Sequence, residues 1–467
     1  LEGHLRKARV RPPYILLGAL SALTLLAVLH WAGQPLIISL TAAITLLTAF
    51  YWVTEALPIP ATSLIPFAAF PLAGVLDYNQ AASALGSHVI LLLMGAFMLS
   101  KAIEYSGVHG RLAYYMIRLT GGTSAKRIVL GFMLTSALLS MWISNTATTL
   151  MLLPMAIAVL QASNDKTLSV ALLLGIAYAA SLGGVGTPVG TPPNIIFISI
   201  YKETQGLEMS FLEWMSFGLP VVFIGIPLMA LWLTRGLSGR SELRLPEPGP
   251  WRAIEKRTLW VFAMVVLAWI TRPYWTQWLG LSTVGDSTIA LAGVVAMFLV
   301  PSGESKNDSG HKGKLLDWQT ASDIPWGMLL LFAGGICIAK AFTQSGLSEL
   351  MGQWLSGLSH LPLPLLVLIL CLSVTFLTEI TSNTATATLL MPVLASAGTA
   401  AGIDPKLLMI PAALSASCAF MLPVATAPNA IIYSSQKVSI QQMARQGVVL
   451  NLLVALIVTA VVVVVLA

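Results

Sequence analysis

Long apolar runs separated by short polar loops fill the chain from Tyr14 to its end. A membrane-spanning helix needs about 20 mostly apolar residues. Eleven runs are candidates: 14–30, 35–57, 60–76, 86–103, 168–188, 213–233, 258–270, 284–300, 325–342, 406–424 and 448–467. Two further apolar segments, 128–162 and 364–400, are interrupted by the same polar sequence. Ser144-Asn145-Thr146-Ala147-Thr148 lies in the first and Ser382-Asn383-Thr384-Ala385-Thr386 in the second. An unpaired amide or hydroxyl in hydrocarbon costs on the order of 2–7 kcal/mol, so such clusters demand partners, from neighbouring helices or from a ligand.

About 17 residues separate Arg127 from Asn145, and about 19 separate Asn145 from Asp165. At 1.5 Å per residue each arm covers roughly 25–29 Å, marginal for a crossing of about 30 Å. We read 128–162 as a re-entrant hairpin with Asn145 at its buried tip, and 364–400 in the same way around Asn383; two short complete spans have the same parity. Ser, Asn and Thr are N-cap residues, so each returning helix starts with free backbone N–H groups and a positive dipole end. Two tips meeting from opposite sides would offer N–H groups, hydroxyls and carboxamides to an anion. The same carboxamide can turn its oxygen toward Na⁺, because hard cations favour oxygen. The alternative is structural: Ser-Asn-Thr caps a helix or packs small residues between helices.

A second interruption follows each tip. Gly183 to Asn194 (GGVGTPVGTPPN) cannot be continuous helix, since Gly favours other conformations and Pro removes donors. It lacks the Gly-Lys-Thr signature of a phosphate loop. Released carbonyls there suit a cation, unless the stretch is a simple proline kink. Its counterpart, Leu422 to Asn429, has Ala425 and Ala427 where the first copy has Gly190 and Pro192.

These features recur in order at nearly constant spacing. Gly95, Lys101, Ser106 and Gly107 match Gly334, Lys340, Ser345 and Gly346 at an offset of 239; the polar tips match at 238, and Pro188 to Asn194 matches Pro423 to Asn429 at 235. The pattern indicates an internal duplication. Each half after the first helix contains five spans plus a segment with an even number of crossings, so the second half is inverted, as in many secondary transporters. The expected organisation is an N-terminal segment and first helix at 1–34, a first repeat at 35–234, a linker at 235–257 and a second repeat at 258–467.

Composition agrees and narrows the classes. At 57% hydrophobic and 9% charged residues, the 467-residue chain reads as an all-α polytopic membrane protein. The net charge of +6 is better explained by topology than by an anionic partner. With the N-terminus (Arg6, Lys7, Arg9, Arg11) cytoplasmic, the clusters Arg111/Arg118/Lys126/Arg127, Arg235 to Arg257, Lys306/Lys312/Lys314 and Lys437/Arg445 all fall inside. The loop with Glu203, Glu208 and Glu213 falls outside. Cys337, Cys371 and Cys418 sit in apolar runs and read as small buried hydrophobes. No metal-ligand spacing or nucleophile/base cluster points to an enzyme. Glu55, Asp286 and Glu379 are carboxylates in or near spans, each a functional suspect with a capping or interhelical alternative. Lys101 and Lys340 are expected to snorkel from helix ends.

The paired Ser-Asn-Thr sequences, Gly190-Thr191-Pro192-Pro193-Asn194, and Ser417 to Thr426 leading to Pro428-Asn429-Ala430 resemble the divalent anion/sodium symporter family. Within it they resemble the bacterial INDY-type dicarboxylate transporters. The resemblance covers essentially the whole chain. It implies a homodimer in the bacterial inner membrane, with a fixed scaffold and a transport domain, containing both hairpins, that slides as an elevator. Carried over by motif, one Na⁺ site would use Ser140, Ser144, Asn145 and the Gly190 backbone. A second would use Thr378, Thr381, Asn383 and the Ala425 backbone, and substrate carboxylates would meet Asn145, Thr146, Asn383, Thr384 and Thr426. The family usually has Pro-Pro where this chain has Ala427-Pro428, which bears on the stiffness of that loop. The function implied is Na⁺-coupled import of succinate-like C4 dicarboxylates. A sodium-independent exchanger would need fixed cations near the tips, and none is expected; an anion channel would need a continuous pore.

Overall fold

Without water to satisfy backbone groups, an apolar run in a membrane closes its hydrogen bonds internally, and helices account for nearly every apolar run of this chain. The computed structural model describes residues 12–120, 124–161, 165–239, 245, 247–303, 313–355 and 360–466. Among them, eight helices are long and apolar enough to cross a membrane: Pro12–Trp31, Leu36–Thr54, Tyr78–Ser106, Lys166–Gly186, Phe211–Leu233, Trp326–Ser345, Asn383–Ala401 and Ile440–Leu466. The protein is an all-α polytopic membrane protein. The basic residues Arg6, Lys7, Arg9, Arg11, Arg240, Arg244, Lys306 and Lys312 lie outside the described residues.

The remaining runs depart from uniform spans for local reasons. The run at 60–76 divides into Ile59–Thr62 and Ile65–Leu72, punctuated by Pro60, Pro66 and Pro71. The run at 406–424 is helical only over Lys406–Ala416 and then unwinds. The run at 258–270 extends to Ala253–Trp278, started by Glu255, whose carboxylate accepts the Arg252 N–H at 2.8 Å. Short helices at Tyr78–Leu85, Val108–Thr120, Trp318–Ser322 and Leu347–Leu355 fill the connections. In the second of them Arg111, 6% exposed, pairs with Glu255 at 3.0 Å.

After the first helix, one order of elements occurs twice. A long helix (Leu36–Thr54; Ala253–Trp278) is followed by a shorter apolar one (Ile59–Leu72; Asp286–Leu299). A small helix then leads into a long one ending at a glycine (Gly107; Gly346) in left-handed conformation. Next come a helical hairpin, a broken helix and a long final helix. Packing is reciprocal: Gly95 lies against Ala290 of the second half, and Gly334 against Ser63 of the first. Any side chain at either glycine would separate these helices.

Both hairpins are helix–turn–helix units. Their arms are Ala125–Ser140 and Asn145–Gln161 in the first, and Leu363–Thr378 and Asn383–Ala401 in the second. At 16, 17, 16 and 19 residues the arms cover about 24–29 Å. The first broken helix stops at Gly183, where the expected stretch begins, whereas the second stops at Ala416, ahead of the expected stretch from Leu422 and with no Gly or Pro at its end. Lys166–Gly183 passes through a turn of 3₁₀ helix at Gly184–Gly186 and resumes at Pro192; Lys406–Ala416 resumes at Ala427.

Candidate functional site

Each tip is built by a helix that starts at its asparagine. In the first, Ser144 caps the helix, its hydroxyl accepting the Ala147 N–H at 3.1 Å. Asn145 then turns its side chain back to the preceding arm, where Oδ1 accepts from the Ser140 hydroxyl at 2.7 Å. The second tip repeats this contact, Thr378 Oγ1 donating to Asn383 Oδ1. Thr378 Oγ1 also lies 3.0 Å from the Ala416 carbonyl. Its proton can thus swing to Ala416 and leave two oxygens facing one cation, a donor set suited to Na⁺.

The unwound stretches lie beside the tips. The Asn145 Oδ1 and Gly190 carbonyl oxygens each lie 3.0 Å from the point where a Cβ on Gly184 would sit. Glycine at 184 is therefore what leaves that space open. Across the site, Thr191 Oγ1 and Ser417 Oγ are 3.2 Å apart, joining the two stretches. Each final helix braces its stretch through a glycine, Gly218 against the Val185 carbonyl and Gly447 against the Phe420 carbonyl.

One cavity of about 760 Å³ brings these parts together. Its wall includes Ser144, Asn145, Thr146 and Gly190 from the first half, and Asn383, Thr384, Ala425 and Thr426 from the second. Ser140 and Thr378 are fully buried behind their asparagines. Thr381 is not on the wall: its hydroxyl bonds the Leu377 carbonyl at 2.8 Å and Thr386 Oγ1 at 2.6 Å. Ala427 lines the cavity, and Thr426 caps the helix it starts, accepting the Asn429 N–H at 3.3 Å.

Sequence reasoning missed two parts of the wall. Thr191 lines the cavity at the position that matches Thr426 by the offset of 235, which that offset would have identified. Lys101, expected to snorkel and not to approach the tips, is also on the wall, so a fixed cation is present after all. Its charge is engaged, with Asp323 at 3.0 Å and Glu104 at 3.9 Å. Lys340, its counterpart, pairs with both Glu203 carboxylate oxygens at 2.8 Å. Of the charged residues on the cavity wall, Lys101 is the only cation among the described residues, and two carboxylates offset it.

The three suspected carboxylates separate clearly. Glu55 ends the helix Leu36–Thr54 in a left-handed, exposed position. Asp286 faces Arg272 at 2.6 Å, a contact of charge without aligned hydrogen-bond geometry. Glu379 is 3% exposed and clamps the second unwound stretch. Its Oε1 accepts the N–H groups of Phe420 (2.8 Å) and Met421 (2.9 Å) and Asn451 Nδ2 (2.7 Å), and its Oε2 accepts the Leu422 N–H (3.0 Å). Charge-assisted bonds of this kind are roughly twice as strong as neutral ones.

Comparison with known proteins bears on the chain and its fold. The sequence profile of the citrate transporter family matches residues 49–408. A sodium-dependent dicarboxylate transporter, SdcS, of Staphylococcus saprophyticus is 40% identical over 425 residues, 86% of this chain and 81% of the relative. SdcS of Staphylococcus aureus is 40% identical over 426 residues, with the same coverage. The crystal structure of the Alcanivorax borkumensis YdaH transporter, described as having an unusual topology, has a similar fold, with a TM-score of 0.56 at 14% identity over 88% of this chain and 97% of that one.

Proposed function

Since the chain belongs to the divalent anion/sodium symporter family, we propose that it imports succinate-like C4 dicarboxylates together with Na⁺ by alternating access. The observation that carries this reading is the single cavity walled by both tips and both unwound stretches. One Na⁺ is assigned to Ser140, Ser144, Asn145 and the Gly190 carbonyl, a second to Thr378, Asn383 and the Ala425 carbonyl. Thr381 joins the second site only if its bond to Thr386 opens. Substrate carboxylates are assigned to Asn145, Thr146, Asn383, Thr384 and Thr426, against helix N-termini.

Charge explains the coupling. A dianion entering a wall whose one cation is already offset lacks compensation, and an uncompensated charge away from water is expensive. Na⁺ ions that bind first at the tips supply the positive charge and release the asparagine oxygens from their hydroxyl partners. Lys101 does not favour an exchanger, because Asp323 and Glu104 occupy its charge.

The 35–234 and 258–467 repeats are read as inverted, with both hairpins and both broken helices in a transport domain that moves against the rest in a homodimer of the bacterial inner membrane. Read with the N-terminus cytoplasmic, the cavity opens past Lys101 and the 82% exposed Asp323 toward the cytoplasm, which supports reading this conformation as inward-open. Uptake of labelled succinate into proteoliposomes tests the function. Accumulation driven by an inward Na⁺ gradient is expected; equal uptake with K⁺ replacing Na⁺ would refute it.

A further inference from the structure

Asn194 and Asn429 end the two matched stretches, and neither belongs to the wall of the cavity. Both are fully buried. Asn194 Nδ2 donates to the carbonyls of Gly184 (3.1 Å) and Thr187 (2.8 Å), and Asn429 Nδ2 to those of Ala419 (3.1 Å) and Leu422 (3.0 Å). The acceptors match at the same offset of 235 as the asparagines. The carbonyls of Thr187 and Leu422 each accept a second bond, from the N–H of Gly190 at 3.3 Å and of Ala425 at 3.2 Å. Asn194 is thus linked through one shared carbonyl to Gly190, whose own carbonyl lies beside the Asn145 oxygen at the Gly184 gap, and Asn429 is linked in the same way to Ala425, which lines the cavity together with Asn383.

A buried asparagine kept only to close a turn would ordinarily satisfy all of its polar atoms. Here Oδ1 of both residues is buried without a hydrogen-bond partner. Leaving an acceptor unsatisfied is unfavourable, so the same imbalance in both halves indicates that the bonds made by Nδ2 are what the position selects. Aspartate, of the same shape, would direct an oxygen at two carbonyls. Leucine would remove both bonds and leave the Thr187 or Leu422 carbonyl held by its backbone N–H partner alone.

We propose that Asn194 and Asn429 are positioning residues for the two Na⁺ sites, each holding its unwound stretch in the shape that presents the Gly190 or Ala425 carbonyl to the ion. The proposal rests on the Na⁺-coupled reading above. It assigns control of Na⁺ affinity to two residues that touch neither ion nor substrate.

The test uses Asn194→Asp and Asn429→Asp in the full-length transporter, with Asn→Ser at each position as the milder variant. Na⁺ activation of labelled succinate uptake and Na⁺-induced thermal stabilisation without substrate are measured beside the unmodified protein. The Na⁺ concentration for half-activation should rise by about tenfold, while the succinate concentration for half-saturation at saturating Na⁺ stays within about twofold. Na⁺-induced stabilisation should weaken in parallel. Unchanged Na⁺ activation in a folded variant overturns the proposal. So does an equal loss of succinate affinity at saturating Na⁺, which marks general distortion, or failure of both variants at each position to fold, which marks a structural role. An unmodified protein that shows no Na⁺ response overturns the coupled reading itself, and that outcome is seen before any variant is compared.

Discussion

The two tip-and-loop units share one geometry and are stabilised by opposite means. In the first, backbone approaches backbone: Gly183 lies against Ala137, Gly190 against Gly184, and the Trp214 indole donates to the Val185 carbonyl at 2.8 Å. A side chain at any of these glycines would push the stretch apart. In the second, Ala419 and Ala425 stand where Gly184 and Gly190 do, so that approach is unavailable. The Glu379 carboxylate gathers three N–H groups instead, with Asn451 beside it. The first unit has Met141 at the matching position; its carbonyl accepts the Thr187 hydroxyl at 2.6 Å and its side chain packs against Gly186, with no charge brought to the stretch. The oxygens proposed as ligands recur in both units, while the forces behind them differ, one steric and one electrostatic.

If the units are equivalent where they meet ligands, Asn145→Ala and Asn383→Ala should each lower Na⁺-driven uptake by more than about hundredfold, the cost of losing a bond to a charged group at about 3 kcal/mol. Folding, followed by size-exclusion profile, should be retained. A variant with near-normal uptake at one tip would break the equivalence.

The difference between the units predicts the next effects. Glu379→Gln replaces an acceptor with a group that can point a donor at the three N–H groups. It should lower uptake by about tenfold and stability by about 2–4 kcal/mol, measured by thermal unfolding. Met141→Gln should be far milder. Gly184→Ala places a methyl 3.0 Å from both the Asn145 and the Gly190 oxygens. Half-activation by Na⁺ should rise several-fold, about fivefold. Ala419→Gly, the reverse change in the second unit, should stay within about twofold. Equal effects of the two changes would refute the steric account.

The smallest effect concerns Lys101 and Lys340. Lys340 ties the end of the broken helix Pro192–Gln205 to Trp326–Ser345, whereas the residue that matches Glu203 in the second half is Val438. Lys340→Gln should free that end and speed labelling of a Thr343→Cys reporter in the neighbouring groove by no more than about fivefold, since a partly exposed ion pair is worth about 1 kcal/mol or less. Lys101→Gln should leave it unchanged.

Much of this was legible in the sequence because membrane helices declare themselves by length and apolarity, and because the tips and stretches break that pattern twice at nearly constant offsets of 238 and 235. The roles of Glu379 and Lys101 were not legible. The partners of Glu379 lie 41–43 and 72 residues away, and Asp323, the nearer partner of Lys101, lies 222 residues away, so only packing brings these groups together. The short connecting helices escaped notice because an amphipathic segment of 5–13 residues resembles a loop in composition. The break at Ser63 and Leu64 required knowing that Pro60 and Pro66 each open a separate helix.

The most direct test is a pair of density maps, determined by electron cryomicroscopy with Na⁺ and succinate and with K⁺ alone. The account predicts two ion features present only with Na⁺, one among Ser140, Asn145 and Gly190 and one among Thr378, Asn383 and Ala425. Succinate should lie between them against Thr146 and Thr384. Ligand density away from the two tips, or a single ion shared by both, would contradict it.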